Sequence, residues 1–307
     1  MLSDVKTFAL VIFLSAFLAQ AEEPLGKKFS ASGDLVVTRF ESAPFPHSSR
    51  ANGHKYQNVE YSAEKHYSDN TVALFIPRVS VKPTEVNFVI HFHGWRNTAT
   101  NALSQFSLIQ QFAASHRNAV LIAPQGPREA PDSSGGKLED ANGFKSFVDE
   151  ALALLKQRGD ITREATVGKI ILSGHSGGYR VISSILEHGG LSDSVREVWL
   201  FDGLYGRTEQ FLNWSERTGG RFINIYTDNG GTKDETEKMI ATLKQRGKKL
   251  WATSDRVVLP RELRANKLLF LHSDLGHSEV IDKRRTFQTF LETSCLEPRE
   301  GKAAAAK

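Results

Sequence analysis

The sequence predicts an α/β domain, a mostly parallel sheet covered by helices on both faces, and three observations carry that prediction. From about residue 71 onward, short apolar runs bounded by turn residues alternate with stretches of helical periodicity, an alternation that builds buried parallel sheets. The run Val167-Gly168-Lys169-Ile170-Ile171-Leu172-Ser173 meets Gly174-His175-Ser176-Gly177-Gly178 and then the helical stretch Tyr179 to His188, which reads as strand, sharp turn, helix. The chain has 307 residues, 40% of them apolar, enough for one large core.

At the N-terminus, Lys6 precedes the apolar run Phe8 to Leu18, and Ala19-Gln20-Ala21 follows. Residues 1–21 therefore read as a secretory signal peptide cleaved after Ala21, although Asp4 is atypical there. The run is shorter than the roughly 20 residues that span a bilayer, so no stable membrane insertion is expected after cleavage. Cys295 is the single cysteine, which excludes an intrachain disulfide and suits a bacterial periplasmic or secreted protein resting on its core alone. The formal charge of +4 survives signal removal, because Asp4 and Lys6 cancel. Its Lys and Arg residues are scattered, as on a solvated surface, and no nucleic-acid-binding motif is present. Small molecules or anionic envelope polymers are the partners this balance admits.

Residues 22–70 form an expected N-terminal extension. Asp34-Leu35-Val36-Val37-Thr38-Arg39-Phe40 reads as an edge strand, and Glu41 to Gln57, rich in Ser, Pro, Asn and His, as a long surface loop. The main domain is expected over 71–295. It opens with strands at Thr71 to Pro77 and Asn87 to Phe92, turned by Lys82-Pro83-Thr84. A helix at Ala102 to His116 and a strand at Ala119 to Pro124 follow, then a long loop at 125–142. Phe144, Phe147, Val148, Ala151, Leu154 and Leu155 mark one face at helical spacing. Val195 to Phe201, Arg221 to Tyr226 and Lys267 to Leu271 supply three more strands. Between the last two, Thr232-Lys233-Asp234-Glu235 reads as a capping box opening a helix that Gly247 closes. The final helix, Ser278 to Thr293, would bury Val280, Ile281, Phe287, Phe290 and Leu291, and 296–307 reads as a C-terminal tail, frayed and rich in Ala and Lys over Lys302 to Lys307.

Ligand sites in open α/β sheets gather beyond the carboxyl ends of the strands, and four such corners carry chemistry. Ser176 is the candidate nucleophile, on a strained turn where Gly174 and Gly178 leave room for close packing. His93-Gly94-Trp95-Arg96-Asn97 follows the strand at 87–92. By its resemblance to the loop from which α/β-hydrolases donate one oxyanion N–H, the other coming from the residue after the nucleophile, the N–H of Trp95, or of neighbouring Gly94, would join that of Gly177 as the pair of donors acyl transfer needs. Asp274-Leu275-Gly276-His277-Ser278-Glu279 follows the last strand and makes His277 the candidate base; His175 and His188 have poorer claims. Either Asp202, in Phe201-Asp202-Gly203-Leu204-Tyr205-Gly206, or Asp228, in Tyr226-Thr227-Asp228-Asn229-Gly230-Gly231, could fix the imidazole tautomer. Tyr205 and His93 are candidate substrate contacts. His91 and His93 lie two apart on a strand, which raises a metal site, but no nearby ligand set completes it. A structural use, tying the loop to neighbouring backbone, is the simpler reading, and no metal or cofactor is expected.

From about Thr71 to Cys295 the chain resembles the α/β-hydrolase superfamily, through the elbow, the oxyanion loop, the strand order and the terminal histidine. The resemblance implies triad order Ser, acid, His, and it is specific for the fold rather than for a substrate. The strand before Asp228 is the one that most often carries the acid. The segment Leu200 to Gly206, however, resembles one in uncharacterised secreted bacterial α/β-hydrolases, which leans towards Asp202. Superfamily members with buried lipid substrates often insert a lid after the strand ending here at Phe201, whereas Tyr205 to Arg217 reads directly as a helix. With no large lid, a soluble ester or a polymer suits the site better than a long acyl chain. The expected activity is that of a secreted serine hydrolase, an esterase, working through an acyl-enzyme. A peptidase or amidase acting on envelope peptides would use the same residues, and a catalytically silent binding scaffold is the reading from another class.

Overall fold

The computed structural model describes residues 31–78 and 83–299. The expected signal peptide, Lys82 of the expected turn and the tail beyond 299 lie outside the described residues. In chain order the strands are β1 (Gly33–Arg39), β2 (His54–Tyr56), β3 (Val59–Tyr61), β4 (Thr71–Pro77), β5 (Glu85–Phe92), β6 (Val120–Pro124), β7 (Thr166–His175), β8 (Val195–Phe201), β9 (Arg221–Thr227), β10 (Trp251–Ser254) and β11 (Leu268–Ser273). The helices are α1 (Ala63–His66), α2 (Ala99–Gln105), α3 (Leu108–Ser115), α4 (Gly143–Arg158), α5 (Tyr179–His188), α6 (Thr208–Thr218), α7 (Lys233–Gln245), α8 (Pro260–Ala265) and α9 (Thr286–Glu292).

A 9-stranded sheet runs β1-β4-β6-β5-β7-β8-β9-β11-β10, with β4 antiparallel to β1 and β6 and every other pair parallel. The alternation of side chains along each strand divides the apolar residues between two cores. Val72, Leu74 and Ile76 of β4 pack with Phe147, Ile185, Phe211 and Met239 from α4 to α7, while Ala73 and Phe75 pack with Leu103, Phe112, Phe287 and Phe290 from α2, α3 and α9. The expected edge strand is β1, which pairs with β4 and so places part of the extension in the main sheet.

Several expected elements change on folding. Within and after the expected loop, β2 and β3 form a small hairpin whose turn residues, Gln57 and Asn58, have φ of 46° and 63°. The helix expected over 102–116 is two helices, because Ser107 takes φ 49° and breaks the ladder between α2 and α3. Residues 278–285 form turns rather than helix, so the last helix starts at Thr286, yet Val280, Ile281, Phe287, Phe290 and Leu291 are buried as expected. The capping box does not form: α7 has no side-chain cap at Thr232, whose hydroxyl donates to Asp202 instead. After β8 the chain enters α6 within a few residues, with no inserted lid. No helix among the described residues is long and apolar enough to cross a membrane.

Candidate active site

The connections from β5 and β7 leave in opposite directions, to β6 on one side and β8 on the other, which makes the gap beyond their carboxyl ends a topological switch point. Both strands deliver expected site residues there. Ser176 follows β7 with φ 51°, in the left-handed region that costs a side-chain-bearing residue energy. The turn closes tightly around it: a Cβ at Gly178 would lie 2.6 Å from the Phe92 carbonyl oxygen, and one at Gly174 would lie 2.8 Å from Ile182 Cδ1.

Beyond β5, Gly94 lies against Ser176, since a Cβ on it would stand 2.8 Å from Ser176 Cβ. The orientation of its peptide follows from His93. Nε2 of His93 accepts from the Gly126 N–H at 3.0 Å, so the ring proton is on Nδ1, which donates to the Gly94 carbonyl at 2.8 Å. Burial lowers the pKa of this imidazole and keeps it neutral. In a trans peptide the N–H points opposite to the C=O, so the Trp95 N–H is aimed away from His93. It has no hydrogen-bond partner among the described residues. His93 itself is absent from the lining of the cavity at Ser176, and its nitrogens are engaged by Gly94, Gly126 and Gln125. The expected substrate contact at His93 is thus corrected to a backbone tie.

Asp202 follows β8 with φ 45° and no solvent exposure. Its Oδ2 stands 2.7 Å from His277 Nδ1, and it also accepts from Thr227 N at 3.2 Å, Thr227 Oγ1 at 2.7 Å and Thr232 Oγ1. Burial pushes this carboxyl up, but the hydrogen bonds from His277, Thr232 and Thr227 outweigh it and hold the pKa below the ordinary carboxylate value. Gly230 closes over the acid so tightly that a Cβ there would fall 1.7 Å from Asp202 Oδ2. Asp228 lies elsewhere, taking Lys233 Nζ at 2.8 Å and His272 Nε2 at 3.1 Å, and those two hydrogen bonds lower its pKa.

The loop carrying His277 is anchored by charge and by the elbow. Arg284 bonds both Asp255 and Asp274, and Arg256 also pairs with Asp274. His175 Nε2 meets the His277 carbonyl at 3.0 Å, with the two rings 4.7 Å apart. Burial, then the neighbouring His277, lowers the His175 pKa to about 4, so His175 is neutral at pH 7 and donates through Nε2–H. His277 Nε2 has no hydrogen bond among the described residues, and Tyr205, which lines the cavity at Ser176, donates its O–H to the Gly230 carbonyl at 2.6 Å.

His91 and His93 form no common site: His91 Nδ1 meets Ser173 Oγ at 2.9 Å, and its ring packs against Phe106 and Phe287. Among the described residues no cluster of three His, Cys, Asp or Glu side chains is placed to hold a metal ion. Sequence reasoning did not find Thr227, Thr232, Gly230, Ser133 or Tyr179 as site neighbours, and it weighed His175 only as a poorer candidate for the base. For Thr232 the capping-box pattern pointed to the wrong partner; for the others only the strand-end positions of Thr227 and His175 gave any signal.

No family model and no curated protein matches the chain. Its fold is similar to that of a serine-to-alanine mutant of the feruloyl esterase module from Clostridium thermocellum complexed with sinapinate, at 11% identity and TM-score 0.51, covering 85% of this chain and 88% of that one. It is also similar to a ferulic acid esterase, at 11% identity and TM-score 0.52, covering 85% and 99%. With its elbow after β7 and its mostly parallel sheet between two helical layers, the chain has the α/β-hydrolase fold.

Proposed function

We propose that the protein is an exported serine hydrolase that cleaves carboxylic esters. The observation that carries this reading is the 2.7 Å contact of buried Asp202 with His277 Nδ1, at the same sheet edge as a serine held at φ 51°. Asp202 keeps the imidazole proton on Nδ1 and leaves the Nε2 lone pair available as general base. When an ester enters, the Ser176 hydroxyl turns to His277 Nε2, a hydrogen bond that resting enzymes often lack. Ser176 Oγ attacks the carbonyl carbon, and the oxyanion is received by the N–H groups of Trp95 and Gly177, with Gly94 giving the close approach. His277 then protonates the leaving alcohol, and water, deprotonated by the same histidine, hydrolyses the acyl-enzyme. Export rests on the Lys6 to Ala21 pattern, and N-terminal sequencing of the secreted protein should begin at Glu22. A fluorophosphonate probe should label the wild type and not Ser176→Ala; a folded wild type that stays unlabelled would overturn the reading.

A further inference from the structure

Beside Ser176 lies a cavity of ≈ 230 Å³ lined by Trp95, Ser133, Ser176, Gly177, Tyr179 and Tyr205. None of these side chains carries a charge, and three of them are aromatic rings. Trp95 and Tyr205 are 42% and 37% exposed, unusual for rings in a protein that buries most of its large apolar side chains. The indole is held from behind rather than left loose. Its Nε1 donates to Ser133 Oγ at 2.7 Å, and Tyr56 of the β2–β3 hairpin packs edge-on against it at 5.2 Å. Its one polar group is thereby satisfied, and what remains for a ligand is apolar ring surface. Tyr179 and Tyr205 stand 5.8 Å apart as a second aromatic wall. Ser133, which accepts the indole N–H, keeps its own proton to donate to a ligand oxygen.

The extension fixes this arrangement. Arg50, just before the hairpin, forms a two-pronged pair with Asp132 at 2.7 and 3.0 Å, and Asp132 is the neighbour of Ser133. The cavity volume falls below the roughly 300 Å³ at which sites for drug-sized ligands begin, so it holds one ring and a short linker. A charged group has no charged partner among the residues that line it. We infer that the cavity receives an uncharged aromatic ring of the ester, on its acyl or its alcohol side, and that the segment containing Arg50 and Tyr56 holds the Trp95 indole in position for it. This inference rests on the serine hydrolase reading above.

The test compares two ester pairs in a pH-stat: methyl cinnamate against methyl hexanoate for an aromatic acyl group, and benzyl acetate against hexyl acetate for an aromatic alcohol. Wild type should favour the aromatic member of at least one pair by about tenfold in kcat/KM. Trp95→Ala, which keeps the backbone N–H, should bring that ratio to within about threefold of unity, and Tyr56→Ala should lower it part of the way. Inhibition of the wild type by cinnamate or benzyl alcohol, against hexanoate or hexanol, gives the same comparison without depending on a variant's folding. Ratios near one in a wild type that a fluorophosphonate labels would overturn the inference and leave the hydrolase reading standing. So would a preference that Trp95→Ala leaves intact. A wild type that is neither labelled nor active on any of the four esters would overturn both.

Discussion

Asp202 and His277 are 75 positions apart in the chain, on loops after β8 and β11, and their side chains meet at 2.7 Å. β9 lies between β8 and β11 in the sheet, and its last residue, Thr227, together with Gly230 of the following loop, closes over the carboxylate. The Asp202 carboxylate is therefore fixed by four donors. Asp202→Asn should lower turnover of one simple ester by a factor on the order of 10⁴, because the amide no longer supports the imidazolium or its tautomer. Asp228→Asn, on an exposed carboxylate paired with Lys233 and His272, should stay within about twofold of wild type. Collapse of activity in the second variant with survival in the first would reverse the assignment.

His175 should prove a positioning residue for His277. Its Nε2–H holds the His277 carbonyl at 3.0 Å, from the position just before Ser176. Removing one such bond, worth about 1 kcal/mol, should let the loop drift and reduce kcat by roughly fivefold to tenfold, with KM little changed. His175→Phe measured for both parameters, with circular dichroism to verify the fold, decides it. A rise in KM at constant kcat would mean that the residue shapes substrate binding instead.

Acid should begin to destabilise the fold at a pH above that at which carboxylates start to protonate. Burial lowers the His91 pKa to about 3 and the His175 pKa to about 4, from an ordinary value of 6.5, and it lowers that of His93 as well. The unfolded chain binds these protons before the folded one does, so the stability present above pH 6.5 is lost progressively as pH falls towards the folded values. The melting temperature should be level between about pH 7 and 8 and should drop between pH 6.5 and 4, with His91→Phe flattening part of the slope. A melting temperature constant from pH 7 to 4.5 would contradict this account.

The strands and the elbow were legible because a buried parallel strand needs an uninterrupted apolar run, and few other structures use one of that length. Ser107 shows where legibility ends: a serine, with no glycine or proline nearby, turns left-handed because Phe106 and Leu108 are both drawn into the same core. The hairpin of residues 54–61 likewise lacks the Asn-Gly signal of a tight turn and uses Gln57 and Asn58 instead. The choice between Asp202 and Asp228 was open in the sequence for another reason. Both follow strands at the same sheet edge, and only the packing of Thr227, Gly230 and Thr232 around one of them separates the two.

Thr232 puts the competition between local and tertiary bonding to a direct test. Followed three residues later by Glu235, it has the pattern of a helix cap, yet its hydroxyl donates to Asp202 and leaves α7 without a side-chain cap. The hydroxyl helps to keep the buried carboxylate ionised, so Thr232→Val should raise the acid's pKa and orphan one of its lone pairs. Turnover should fall by roughly tenfold, and Thr232→Ser, which restores the hydroxyl, should recover most of it. Lost turnover in Thr232→Val, recovered in Thr232→Ser, would place the hydroxyl on the acid. A lower melting temperature with turnover intact would instead show that it works as the cap its sequence pattern suggests.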